Sequence, residues 1–449
     1  MAIRCNHSCV VEFSLQGPWR LGLYVLVIGL LTLLISVETA KIAIVTALGK
    51  SPNTAELQKA LAIEPDNPAL LHRLGLLYSF LPDTMSPLQG VRCLRRAVEL
   101  NPHRAAYWLS LGTACDSVGD TTCADHAFQR ALVLNPTSPR VQWGIGNHYL
   151  MTDRVDTALP FFRRLLELSP EYARPTFGLC LRAVHDPQIV YERVLPRRSD
   201  AKLRFAFVNL LSEQGDHDNA YRVWRETIAE TSAFAFSSVT PYLDRLLGQG
   251  RFLEAQSVWQ DLERLGIVKK PPTEDPRNLV FNGGFEQDPL NAGFDWRFQS
   301  AAYVAADFAD TSAFQKERCL RVDFTVSRND EFEPVYQIAP VVPYQAYVLS
   351  AYVRSENVSS DSGPRLRVLD PACPACPNAM TEATVGTTAW HQVTLSFLAG
   401  PQTHAVRLSV WRPRSRTFPT DITGSFWLDA VSLTAVAGSE EKTDGRITR

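Results

Sequence analysis

The feature that most constrains the fold of this 449-residue chain is a recurring phrase: KALAIEP ends at Pro65, RAVELNP at Pro102, RALVLNP at Pro136 and RLLELSP at Pro170. The intervals are 37, 34 and 34 residues. A unit this short cannot bury its own apolar face, so successive copies must stack and share a core. Each phrase has apolar residues at helical spacing and closes on a proline, which cannot continue a helix. The surplus in the first interval falls in LPDTMSP, where two prolines and an aspartate favour a longer turn. Beyond Pro170 the pattern weakens, with Gly215, Ala220 and Trp224 returning 35 residues later as Gly250, Ala255 and Trp259. The tract from Asp186 to Asp200 carries polar and proline signals of a broken or shortened hairpin. About six helical hairpins over residues 54–266 are expected.

The internal positions resemble those of the tetratricopeptide repeat. In the best copy Trp108, Leu111, Gly112, Ala124, Phe128, Ala131 and Pro136 occupy the family's large and small positions, with Cys115 where a tyrosine is usual. Leu71, Leu74, Gly75, Tyr78, Ala97 and Pro102 match in the copy before, and Ile145, Gly146, Tyr149, Ala158, Phe162 and Pro170 in the copy after. The resemblance implies one right-handed solenoid that binds a peptide or protein segment on the concave face lined by the first helix of each pair. Candidate exposed residues on that face are His72, Arg73, Tyr107, Gln142, Asn147 and His148.

Ahead of the repeats, residues 21–37 read LGLYVLVIGLLTLLISV, an uncharged run at the short end of what spans a bilayer. A cleaved signal peptide is the rival, but Glu38 stands near the candidate cleavage site around Thr39 and Ala40, where small residues are wanted. The reading is an uncleaved single-pass anchor after an N-terminal tail of residues 1–20. Arg4 and Arg20 before the span balance Lys41 and Lys50 after it, so charge does not orient it. A short tail before a large body favours a body outside the cytoplasm, in the periplasm of a bacterial envelope.

With 45 basic against 47 acidic residues, no global field favours nucleic acid. Nine cysteines are too few and too scattered for a disulfide framework, and Cys93, Cys115, Cys123 and Cys180 fall where helices pack as small buried hydrophobes.

Residues 267–277, containing KKPPTEDPR, interrupt the helical pattern as a proline-rich linker. Residues 278–437 then turn to short alternating runs, among them YQAYVLSAYVRSE, HAVRLSVWRP and SFWLDAVSLTAV, which read as strands. Residues 438–449 read as a disordered tail. Alternation places Tyr347, Leu349, Ala351 and Val353 inward, as it does Val406, Leu408 and Val410. Tyr352, Arg354, Arg367, Arg407 and Trp411 then point outward, where rings and guanidinium forks suit sugars. An ordinary solvated sheet face is the alternative.

The opening NLVFNGGFEQ and the closing GSFWLDAVSL resemble the ends of carbohydrate-binding modules of the galactose-binding-like jelly roll. That resemblance implies a structural calcium at Glu286 and Asp429, whose hard oxygen ligands suit the ion. The isolated CxxC of Cys373 and Cys376 lacks further zinc ligands and reads as a loop disulfide of an oxidising compartment.

No phosphate-binding loop, GxSxG, HExxH or dinucleotide motif occurs, so no catalytic residue is named and no cofactor is required. The fold expected is multidomain: a transmembrane helix, an all-α solenoid of tetratricopeptide type, then an all-β jelly-roll sandwich. Its function is expected to be a membrane-anchored scaffold that holds protein partners and engages glycans, within exopolysaccharide assembly or export. A purely structural adaptor without sugar binding and a carbohydrate-active enzyme are the rivals.

Overall fold

The computed structural model describes residues 18–82, 85–196, 200–231, 233–271, 275–299, 304–373, 378–418 and 420–436. Most of the N-terminal tail, the whole tail 438–449 and Cys376 lie outside them. Two compact units divide at Arg197 and Arg198, inside the tract where the repeat pattern breaks.

The first unit opens with α1 (Pro18–Gly49), longer than the uncharged run because the helix continues through Glu38 and Lys41, which pair at 2.8 Å. Its stretch Leu21–Gly49 is long and apolar enough to cross a membrane, with a mean hydropathy of 2.3 over its most apolar 18 residues. The last turns of α1 dock on the repeats. Val45 is buried with Leu57 and Ala60 of α2 (Thr54–Ile63) and with Leu70 and Leu74 of α3 (Pro68–Phe80).

Hairpins follow, pairing α3 with α4 (Pro87–Leu100), α5 (Ala105–Ser117) with α6 (Thr121–Leu134), and α7 (Pro139–Met151) with α8 (Val155–Leu168). The last in this unit joins α9 (Ala173–Val184) to α10 (Pro187–Val194), whose eight residues make it the shortened hairpin expected. The recurrent prolines Pro65, Pro102, Pro136 and Pro170 each stand two residues past a helix end. Asn53, Asn67, Asp120 and Asp186 cap helix starts by accepting backbone N–H bonds. The repeat's glycines are places where helices touch: a Cβ on Gly112 would lie 3.0 Å from the Phe128 ring, and one on Gly146 2.7 Å from Phe162. The longer first interval is absorbed where expected, in the segment 81–86 between α3 and α4.

The second unit contains α11 (Ala201–Glu213) with α12 (His217–Glu230), and α13 (Thr240–Gly248) with α14 (Phe252–Arg264). Gly215 and Gly250, the echoes 35 residues apart, both take left-handed backbone at the hairpin turns (φ 83° and 74°). Two five-stranded antiparallel sheets follow. One has the order β1-β4-β9-β6-β7, built from β1 (Arg297–Phe298), β4 (Phe332–Pro340), β9 (Ala405–Arg412), β6 (Arg365–Leu369) and β7 (Ala379–Met380). The other has the order β2-β3-β10-β5-β8, from β2 (Val304–Asp310), β3 (Cys319–Arg328), β10 (Ile422–Ala435), β5 (Ala346–Val358) and β8 (Gly386–Leu398). Tyr347, Leu349, Ala351 and Val353 from the second sheet meet Val406, Leu408 and Val410 from the first in one core, as alternation predicts.

The last hairpin is packed onto the sheets rather than held off by a free linker. Trp259 of α14 makes edge contacts with Phe281 and Phe294, at centroid distances of 5.3 and 5.8 Å. Only a glycine fits at position 293, where a Cβ would overlap the Trp259 ring. Asp244 Oδ1 accepts the Gly293 N–H at 3.2 Å and an Arg297 N–H at 2.6 Å.

Candidate binding surfaces

The helical face expected to bind a partner is partly buried. Tyr107 and Gln142 are each 3% exposed and His148 is 1% exposed, so these three are not the exposed residues that helical spacing suggested. Tyr107 stacks on His72 at 4.5 Å, and Gln142 donates to the Pro136 carbonyl at 2.7 Å. His148 is held by carboxylates of the preceding hairpin, Nδ1 lying 2.7 Å from Asp116 and Nε2 3.0 Å from Asp125. Arg154 joins this cluster, 3.1 Å from Asp125 and 2.9 Å from His148 Nε2. Burial raises the Asp116 carboxyl above its ordinary value. A buried polar group must be paired, and spacing alone does not reveal a pairing made across two helices.

His72, Arg73 and Asn147 stay half-exposed. His72 reaches Ser110 of the next hairpin at 2.9 Å, Arg73 donates to the Lys50 carbonyl, and Asn147 donates to the Trp143 carbonyl. Burial, with Arg104 nearby, keeps the His72 imidazole below its usual value. Beside Asn147, the exposed Thr113 of α5 occupies the equivalent position one repeat earlier and was missed by sequence reasoning.

Cys115 and Cys123 are not free hydrophobes: they form a disulfide joining the last turn of α5 to the first turn of α6. Cys93 and Cys180 are free, and burial pushes the Cys180 thiol up to about 12. Cys373 is also disulfide-bonded.

The five outward residues expected to form one glycan groove do not share a surface. Tyr352 and Arg354 lie on β5 of one sheet, whereas Arg367, Arg407 and Trp411 lie on β6 and β9 of the other, and the core separates the two outer faces. Alternation gives the face of a strand but not the sheet it joins. On the first sheet's outer face Arg367 and Arg365 sit over Trp411, at 4.6 and 5.9 Å, and Trp411 donates to Glu331. On the second, Tyr352 stacks on Phe314 at 3.6 Å with Trp390 beside it. Arg354 lies over Trp427 at 4.5 Å. Trp390 could have been found from the alternation of WHQVTL, but Phe314 lies in a loop without a pattern.

Glu286 and Asp429 both face the segment 314–318. Asp429 Oδ2 accepts the N–H groups of Phe314 and Gln315, and its Oδ1 accepts that of Ala430. Glu286 Oε1 lies 3.4 Å from the N–H groups of Glu317 and Arg318. Burial chiefly raises the Asp429 carboxyl, and the Glu286 charge adds to this. A calcium ion needs six or more oxygen ligands. Among the described residues only these two carboxylates converge here, and Asp429 already accepts three N–H bonds, so the pair alone falls short of the ligand set that ion takes.

The tetratricopeptide repeat family model matches residues 116–173, from the end of α5 through α8 to the start of α9. This stretch of the helical region is therefore of tetratricopeptide-repeat type. Among solved structures, a crystal structure of MamA is 19% identical over 39% of this chain and 85% of its own, with a TM-score of 0.26. MamA AMB-1 is 31% identical over 29% of this chain and 75% of its own, with a TM-score of 0.25. The enzymatically active domain of tailspike protein 4 from bacteriophage CBA120 is 13% identical over 36% and 22%, at 0.26. No curated protein matches.

Proposed function

We propose that this chain is a non-catalytic scaffold that holds an extended protein segment against the first helices of its repeats, while its apolar N-terminal helix tethers it to a membrane. The observation that carries this reading is a pair of equivalent positions on successive first helices that solvent reaches, the exposed Thr113 on α5 and the half-exposed Asn147 on α7. Between them Leu109 packs against Gly144, where a Cβ would meet it at 2.7 Å, so neighbouring first helices form a continuous surface. Repeats of this kind use such a surface to bind partner chains. Arginine at Thr113 and Asn147 is expected to release the partner that purifies with the full chain from native membranes. Arginine at Gln129, exposed on a second helix, is expected to retain it. Equal recovery from both variants would refute the assignment of the face.

Disulfides at Cys115–Cys123 and at Cys373 support a body outside the cytoplasm, where such bonds persist. A membrane-impermeant thiol reagent should label a cysteine introduced at Gln129, outside the proposed partner face, on intact cells, and absence of labelling would place the body inside. The narrower reading, glycan engagement in exopolysaccharide assembly or export, is supported by the Phe314, Tyr352 and Trp390 rings on one sheet face. Alanine at Phe314 and Trp390 should abolish retardation of the full chain in polysaccharide-containing gels. Unchanged retardation would refute these rings as the sugar site, and a parent chain that is not retarded would leave the purely structural adaptor.

A further inference from the structure

In the second unit a cleft of about 510 Å3 opens between the α13–α14 turn and the outer face of the β1-β4-β9-β6-β7 sheet. Leu247 and Phe252 line it from the helices, Ile338 and Pro371 from the sheet side, and Arg297 and Arg407 bring two guanidinium groups to it. Both arginines are held away from bulk water, with side chains 16% and 25% exposed. Arg297 uses Nη2 on Asp244 Oδ1 and on the Gly293 carbonyl at 3.1 Å. Arg407 uses Nη2 on Glu333 and lies over the Tyr336 ring at 3.7 Å. The Nε of each is buried with no acceptor.

A guanidinium offers five N–H donors, so most of this pair's donors are unspent. Asp244 and Glu333 cancel the net charge, and what the cleft has in excess is donors rather than positive field. A planar carboxylate matches guanidinium donors with two acceptor oxygens, and a site shielded from water strengthens such bonds. Leu247, Phe252, Ile338 and Pro371, with Ala372, give a compact hydrocarbon group apolar walls to pack on. A uronic acid would turn hydroxyl groups toward those walls and leave them poorly matched.

We propose that this cleft binds the free C-terminal carboxylate of a peptide whose last side chain is apolar. The site is separate from the repeat face of the first unit and stands or falls independently of it. Isothermal titration of the full chain in detergent with N-acetyl-leucine and N-acetyl-phenylalanine should give saturable binding, and the corresponding amides should bind at least ~10-fold more weakly. Arg407→Gln should weaken binding of the acids by about 10- to 100-fold. The contrast between acid and amide is read on the unaltered chain, so it holds even if the variant folds poorly. Equal binding of acid and amide, or no heat from N-acetyl-leucine up to ~10 mM, would overturn the proposal. So would glucuronate binding as tightly as N-acetyl-leucine, or a folded Arg407→Gln chain binding like the parent.

Discussion

Asp295 is 1% exposed, and its carboxylate accepts the N–H groups of Leu290 and Trp296 at 2.7 Å each. Burial outweighs these two bonds and pushes its carboxyl up to about 6 from an ordinary 3.8. Because the folded value is the higher one, the stability it contributes is full below the unfolded value and is lost as pH rises through the folded one. The difference amounts to about 3 kcal/mol. Melting temperature should therefore rise as pH falls from 7 toward 4, and Asp295→Asn should flatten the profile in that window; an unchanged slope would contradict this. The cysteines show where single residues resist reading. Cys115 and Cys123 have the spacing of two packed positions, and only the α5–α6 turn brings their sulfurs together. His148 likewise reads as a surface residue until Asp116 and Asp125 close on it from the preceding hairpin.

At the scale of elements, the hairpins were legible because their constraints are local. Small residues mark close approach, prolines mark helix ends, and the surplus in the first interval sits in one turn. Gly146 is a direct test of that logic. Valine there would place carbon against the Phe162 ring, with the nearest atom 2.7 Å from its Cβ. Overpacking of this kind costs about 1–3 kcal/mol, so denaturant unfolding of Gly146→Val should show a lower midpoint with an unchanged slope. A midpoint equal to that of the parent would mean the helices separate freely. Strands were legible only in part. Their inward and outward residues followed from alternation, but partner choice is non-local: β5 joins β10 and β8, whereas β9 joins β4 and β6. This is why a groove assembled from outward residues was divided between two faces.

At the scale of the whole chain, composition and periodicity gave the sequence of parts, an apolar helix, helical repeats and antiparallel sheets. They did not reveal that the α13–α14 hairpin is held to the sheets by Trp259, Gly293, Asp244 and Arg297, because each of these residues has an ordinary role within its own element. Asp429 of β10 and Glu286 ahead of β1 both take backbone N–H groups of the loop between β2 and β3. Chelation with EDTA should therefore leave the melting temperature unchanged, and a fall of several degrees would show a bound calcium. In the proposed function the first helices of the repeats hold a partner chain. Photo-crosslinking in living cells from p-benzoylphenylalanine placed at Thr113, Asn147 or Gln129 tests it most directly. An adduct of one mass is expected from Thr113 and Asn147 and none from Gln129. The same adducts from all three positions, or adducts from Gln129 alone, would contradict it.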